Sequence, residues 1–165
     1  MFKVGDIVVH KRDICKVTDI IKDYNNLGED YYSLVPISDG SLTIHTSTSN
    51  KRGAIRNVIS KSDAEALIQE IPAIQIIEPM DDRALEGRYI SLINSSKHED
   101  LIRIIKTTYL RREERENCGK KVSEKDKSYF RQAEKLFYSE FSIALGKSYQ
   151  ETKDYIVSKV SGLAK

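Results

Sequence analysis

The hydrophobic pattern of this 165-residue chain changes period near Ser60, and this change constrains the fold more than any other feature. Before it, apolar and β-branched residues come in short runs separated by turn residues such as Asp39 and Gly40. This arrangement is typical of strands and hairpins. After Ser60, apolar residues recur at helical spacing. The sequence therefore predicts an α+β protein with two domains, residues 1–60 and 61–165.

The first domain is expected to be a small β-barrel. Strand-like runs occupy residues 7–9, 14–21, 31–35, 42–46 and 55–59. Five strands in so short a segment favour a barrel with a modest apolar interior. We expect that interior to hold Val4, Ile7, Val9, Val17, Ile20, Leu34, Leu42, Ile44 and Ile55. Any strand edge left open can pair with a strand of another protein.

The second domain is expected to be all-helical, with helices over residues 62–70, 82–94, 97–117, 124–145 and 149–162. Capping boxes of the form Ser-x-x-Glu predict three of the helix starts, and a weaker Ser-x-x-Asp pattern predicts a fourth. The serines of these patterns are Ser62, Ser96, Ser148 and, for the weaker one, Ser123. Glycines at 119 and 146 fall where a helix would end in a left-handed residue.

A net charge of +2 hides an uneven distribution along the chain. Residues 61–100 carry 4 basic against 9 acidic side chains, whereas residues 101–131 carry 10 basic against 5 acidic ones. A concentrated basic stretch in a nearly neutral chain indicates a local surface for anions, and phosphate contacts give affinity for nucleic acid without sequence choice. The alternative interpretation is an ordinary solvated helix surface.

The residue pattern predicts no catalytic activity, no cofactor and no metal site. The motifs HExxH, GxSxG, GxGxxG and the P-loop are absent from the sequence, and the three histidines are scattered. Cys15 lies in a strand-like run and is expected to be buried, whereas Cys118 is expected to be exposed. No stretch approaches the roughly 18 apolar residues of a membrane helix. We therefore expect a cytoplasmic protein with no membrane contact.

The order of segments resembles the CarD/CdnL family of bacterial transcription regulators. The segments KVGDIVVH, ICKVTDI, DYYSLVP, SLTIHTSTSN and GAIRNVIS follow the amino-terminal module of that family. The second half is similar to the family's helical pattern, including the segments YLRR, GKK and AEKL. The resemblance covers essentially the whole chain.

This resemblance implies a Tudor-like (SH3-like) barrel that binds the β subunit of RNA polymerase. It also implies a helical domain that contacts promoter DNA near the upstream edge of the transcription bubble and modulates open-complex stability. The implied polymerase-binding residues are Lys22, His45, Thr46 and Ser47. The implied DNA-binding residues are Arg83, Leu85, Arg88, Arg111, Arg112, Lys120, Lys121 and Lys125. The DNA contact is expected to be weak and largely independent of sequence, and the protein is expected to be a monomer.

Three features depart from the pattern of the family. One is that Lys11, Arg12 and Asp13 replace the Pro and Gly that often follow the VVH segment. The family commonly carries a Trp wedge near the start of the second helix, whereas this chain has no Trp, so Leu85 or Met80 is the candidate wedge. Ser47 stands where the family often has Pro after the fourth strand. The missing Trp motivates an alternative, in which the barrel binds a protein partner and the DNA-wedging role has been lost.

Overall fold

A computed structural model describes residues 1–95 and 97–163. Its internal contacts divide the chain into two compact units, Met1–Val58 and Ile59–Lys165. The first unit is a five-stranded antiparallel sheet and the second contains five α-helices. The predicted α+β class is therefore confirmed.

The sheet is open rather than closed. Its strands are β1 (Ile7–His10), β2 (Asp13–Ile21), β3 (Tyr31–Pro36), β4 (Ile44–Ser47) and β5 (Ile55–Asn57). They are arranged in the order β4-β3-β2-β1-β5, and each neighbouring pair is antiparallel. Within the described ranges, β4 and β5 have no strand partner on their outer sides. A closed barrel is thus not what the structure shows.

One face of the sheet carries the core of the first unit. Its buried side chains alternate along the strands, as they do in a sheet with one apolar face, and they are Val8, Cys15, Val17, Tyr32, Leu34 and Ile55. The predicted burial is wrong for two residues, since Val4 is 59% and Leu42 is 48% exposed. Val4 precedes β1, and Leu42 lies in the turn before β4, so neither has a strand backbone to turn its side chain inward.

The helices agree with the predicted ranges to within one residue at each end. They are α1 (Lys61–Glu70), α2 (Asp82–Asn94), α3 (His98–Asn117), α4 (Glu124–Leu145) and α5 (Tyr149–Leu163). The caps at Ser123 and Ser148 are confirmed, because each hydroxyl accepts a backbone N–H of the first turn. The predicted cap at Ser62 is wrong, because Ser60 has the extended backbone of an N-cap and Ser62 already lies inside α1. Ser96 lies outside the described residues.

All five helices contribute to one buried apolar cluster. Large side chains at its centre include Ile68 of α1, Tyr89 of α2, Ile104 of α3 and Phe137 of α4, and the ring of Phe137 stacks on Phe141 at 4.2 Å. The glycines at 119 and 146 have φ values of 67° and 66°, as the predicted helix ends require. The amphipathic pattern of the second half is thus used for packing between helices.

The two cysteines are expected to differ in reactivity. Cys15 is fully buried, and burial raises the pKa of its thiol to about 11. Because the thiolate is the reactive form, Cys15 should resist alkylation at pH 8 in the folded protein, whereas exposed Cys118 should react. Thiol titration of a Cys118→Ser variant should therefore detect no reactive group until denaturant is added. Rapid labelling of the folded variant would contradict this burial.

Candidate functional site

The outer edge of β4 carries the first group of predicted site residues. The backbone N–H of Thr48 donates to the carbonyl of Asp30 at 3.0 Å, and the β3–β4 register continues from there without a shift. Hydrogen-bonded and non-hydrogen-bonded pairs alternate in an antiparallel ladder. Thr46 therefore turns its N–H toward β3. The N–H and C=O groups of His45 and the N–H of Ser47 point away from the sheet and supply the open hydrogen-bonding edge, whereas the C=O of Ser47 accepts the N–H of Asn50 at 3.3 Å.

Three rings lie beside this edge. The ring of Tyr24 stacks on Tyr31 at 4.8 Å and lies 5.0 Å from the ring of His45. The Nδ1 atom of His45 is also 3.2 Å from the hydroxyl of Ser33. Tyr24 lies in the loop between β2 and β3, where no hydrophobic period marks it, and sequence reasoning missed it. These rings can contact a side chain of a strand added along β4.

Lys22 lies at the same end of the sheet as Ser47. Its ammonium donates to the carboxylate of Asp30 at 3.0 Å, and the carbonyl of Asp30 accepts the N–H of Thr48. The hydroxyl of Ser47 is 3.5 Å from the carboxylate of Glu29. The loop between β2 and β3 therefore brings Lys22 next to the end of β4. The structure thus places all four predicted polymerase-binding residues in one region.

The second candidate surface lies at the carboxyl end of α3. Lys120 and Lys121 are exposed in the segment that joins α3 to α4, and neither forms an ion pair with a described residue. A concave region of about 320 Å³ adjoins them, lined by Arg111, Glu114, Arg115, Cys118 and Lys120. The Arg115 guanidinium donates to the carbonyl of Lys121 at 3.2 Å and so supports the turn. This segment presents basic side chains to solvent.

Arg111 has a structural role that the sequence did not indicate. Its Nε donates to Asp126 at 2.8 Å, and its Nη2 donates to Asp82 at 3.2 Å. Asp126 is only 4% exposed, and it also accepts the hydroxyl of Tyr89 at 3.1 Å. Burial, and then the adjacent Asp126 carboxylate, raise the pKa of Tyr89. Arg111 therefore neutralises a buried carboxylate between three helices.

Two further predicted DNA contacts also have acidic partners. Lys125 donates to Glu86 at 2.6 Å, and Arg112 donates to Glu116 at 3.1 Å. The hydrogen bond from Lys125 holds the pKa of Glu86 below its usual range, and the same bond raises the pKa of Lys125. Together with Arg111, three of the predicted phosphate-binding cations are engaged within the helical unit.

The remaining predicted residues lie on α2 or just before it. Arg83 and Arg88 are exposed. Leu85 is only 4% exposed and belongs to the apolar cluster, because it shares the inward face of α2 with Tyr89. Its side chain is therefore not available as a wedge in this conformation, which corrects the expectation for Leu85. Met80, at 36% exposed, precedes the helix and is accessible.

Comparison with protein-family models finds no match, and the search of curated proteins finds none either. No helix of the described segments is long and apolar enough to cross a membrane. Among residues 1–95 and 97–163, no group of three or more His, Cys, Asp or Glu side chains could hold a metal ion. The two surfaces therefore have to be judged on their own geometry.

Replacing Arg111 is expected to destabilise the protein. Arg111→Met leaves the buried carboxylate of Asp126 without its cation, which should lower the free energy of unfolding by about 1–3 kcal/mol. Lys121→Met removes an exposed, unpaired charge and should change it by less than about 0.5 kcal/mol. Urea denaturation of both variants measures the difference. Equal stability of the two variants would show that Asp126 does not depend on Arg111.

Proposed function

We propose that this protein is a CarD/CdnL-like regulator of transcription. In this proposal the sheet unit is a Tudor-like (SH3-like) module that binds the β subunit of RNA polymerase. The helical unit contacts promoter DNA near the upstream edge of the bubble and modulates open-complex stability. The observation that carries the proposal is the open edge of β4, where the N–H and C=O of His45 and the N–H of Ser47 point away from the sheet. No catalytic step is part of this function.

The composition of β4 supports strand addition. Exposed strand edges are commonly protected by Lys, Pro or a bulge, because an unprotected edge pairs with other chains. The sequence of β4 is IHTS, with no formal charge and no Pro, and its register with β3 has no bulge. Main-chain hydrogen bonds to an added strand give affinity, and neighbouring side chains such as Tyr24 add specificity. This edge is therefore suited to a partner that contributes a strand.

The segment after α3 supports contact with DNA. Lys120 and Lys121 are exposed, and Arg115 lines the adjoining concave region. Cations that neutralise phosphates bind the DNA backbone at the expense of condensed counterions, so such binding is weak in high salt and independent of sequence. Arg83 and Arg88 are two more exposed cations in the same unit.

A second candidate function is a protein-interaction factor without a DNA-wedging role. The burial of Leu85 favours it, since the chain has no Trp and, of the two candidate wedges, Leu85 is not accessible and Met80 is. The ion pairs of Arg111 and Lys125 favour it as well, because they reduce the free positive charge. In this case the sheet unit binds the partner and the helical unit serves as a scaffold.

Blocking a single backbone donor on β4 is expected to weaken binding to RNA polymerase. His45→Pro removes an outward N–H while leaving the pairing with β3 intact, and it should reduce affinity about tenfold or more. His45→Ala is the matched control, because it loses the same ring and keeps the N–H. Thr46→Pro is unsuitable, since that N–H faces β3. Surface-immobilised polymerase and the full chain provide the measurement, and equal affinities of H45P and H45A would place the contact elsewhere.

Reversing the charge after α3 is expected to separate the two candidate functions. In the proposed regulator, Lys120→Glu with Lys121→Glu should weaken DNA binding and reduce the salt slope by roughly 1.8, at about 0.9 for each lost phosphate contact. It should also shorten the open-complex lifetime without changing polymerase affinity. The control variant, K61E/K135E, carries the same charge change at two other exposed lysines. Undetectable DNA binding by the unaltered protein at low salt would favour the interaction factor.

A further inference from the structure

Two acidic side chains of α2 contact cations that would otherwise be open to solvent. Asp82 and Glu86 are four residues apart, so they lie on the same face of the helix. Asp82 is 3.2 Å from the Arg111 guanidinium, and Glu86 is 2.6 Å from the Lys125 ammonium. The four charged groups border one concave region of about 280 Å³, whose lining also includes the buried Asp126 and the exposed Glu124. This arrangement differs from that of Lys120, which has no acidic partner among the described residues.

We propose that Asp82 and Glu86 mask Arg111 and Lys125, and that the phosphates of a DNA backbone displace these carboxylates when DNA binds. This inference rests on the proposed DNA contact and adds a regulatory device to it. The masked cations would bind phosphate only after the exchange. The acidic face of α2 would therefore hold the affinity for DNA below the value that the number of basic residues predicts.

The contacts of Arg111 make such an exchange possible without loss of the fold. Its Nε holds the buried carboxylate of Asp126, whereas its Nη2 contacts Asp82, whose side chain is largely exposed. Removing the outer contact leaves the inner one in place. The guanidinium can then offer Nη2 to a phosphate oxygen while it continues to neutralise Asp126.

The energies of the outer pairs are small enough for displacement. Each pair has one well-exposed member, Asp82 in one and Lys125 in the other, and water and salt screen the attraction in ion pairs of this kind. A polyanion has an advantage over a single carboxylate, because each neutralised phosphate releases condensed counterions. DNA at low salt can therefore compete with Asp82 and Glu86, whereas free chloride gains no such release.

Neutralising the mask is the direct test. Asp82→Asn with Glu86→Gln should raise the affinity for a short DNA duplex about threefold to fivefold at low salt, since two weak competing attractions are removed. The salt slope should change by less than about 0.9, the contribution of one phosphate, because the same phosphates are neutralised once the carboxylates have been displaced. The control variant, E151Q/D154N, makes the same change in net charge on exposed positions of α5 and should shift affinity less than about twofold.

The possible results distinguish the masking of Arg111 and Lys125 from the proposed DNA-binding surface itself. If D82N/E86Q binds DNA no more tightly than E151Q/D154N, while K120E/K121E still weakens binding, the mask is overturned and the DNA surface stands. If no variant binds DNA at low salt, both are overturned. If D82N/E86Q alone binds, the mask is supported.

A second variant guards against a folding defect. Asp82 lies in the first turn of α2, where a carboxylate favours the helix. Glu86→Gln alone avoids that position, and it should still raise the affinity for DNA about twofold to threefold, because Lys125 no longer has to be released from a carboxylate. An affinity of the well-folded E86Q protein no higher than that of E151Q/D154N would overturn the mask at Lys125.

Discussion

The buried carboxylate of Asp126 connects three helices of the second unit. It accepts hydrogen bonds from Tyr89 of α2 and Arg111 of α3, and its own N–H donates to the capping hydroxyl of Ser123 at the start of α4. A carboxylate removed from water is strongly unfavourable unless it is paired and hydrogen-bonded. The positions of α2 and of the second half of α3 are therefore tied to the first turn of α4.

This same requirement decides which cations are left for a ligand. The basic stretch from 101 to 131 suggested one continuous anion surface, but its members divide into two classes. Arg111 is turned inward by Asp126, and Lys125 is held by Glu86. Lys120 and Lys121 lie in the turn beyond the network, where no acidic side chain pairs with them among the described residues. The ion pairs that stabilise the fold thus reduce the number of cations that can bind a ligand on this face.

Local signals predicted the helices well, whereas the partners of charged residues could not be predicted. The bounds of α4 follow from the spacing of its apolar residues, the cap at Ser123 and the glycine at its end. All three signals lie in the same short stretch of sequence as the helix itself. The partner of Arg111 is 15 residues away and the partner of Lys125 is 39 residues away, so only the tertiary fold brings them together. The burial of Leu85 has the same cause, since its inward orientation depends on the face that α2 packs against its neighbours.

The sheet edge shows why a departure from a family pattern need not remove a contact. Strand addition uses backbone N–H and C=O groups, and it therefore tolerates many changes of side chain. Ser47 stands where the resembled family often has Pro, and Pro has no N–H to donate. Because the register turns the backbone of Ser47 away from β3, this replacement adds an outward donor next to the one at His45. The departure at Ser47 thus extends the open edge of β4.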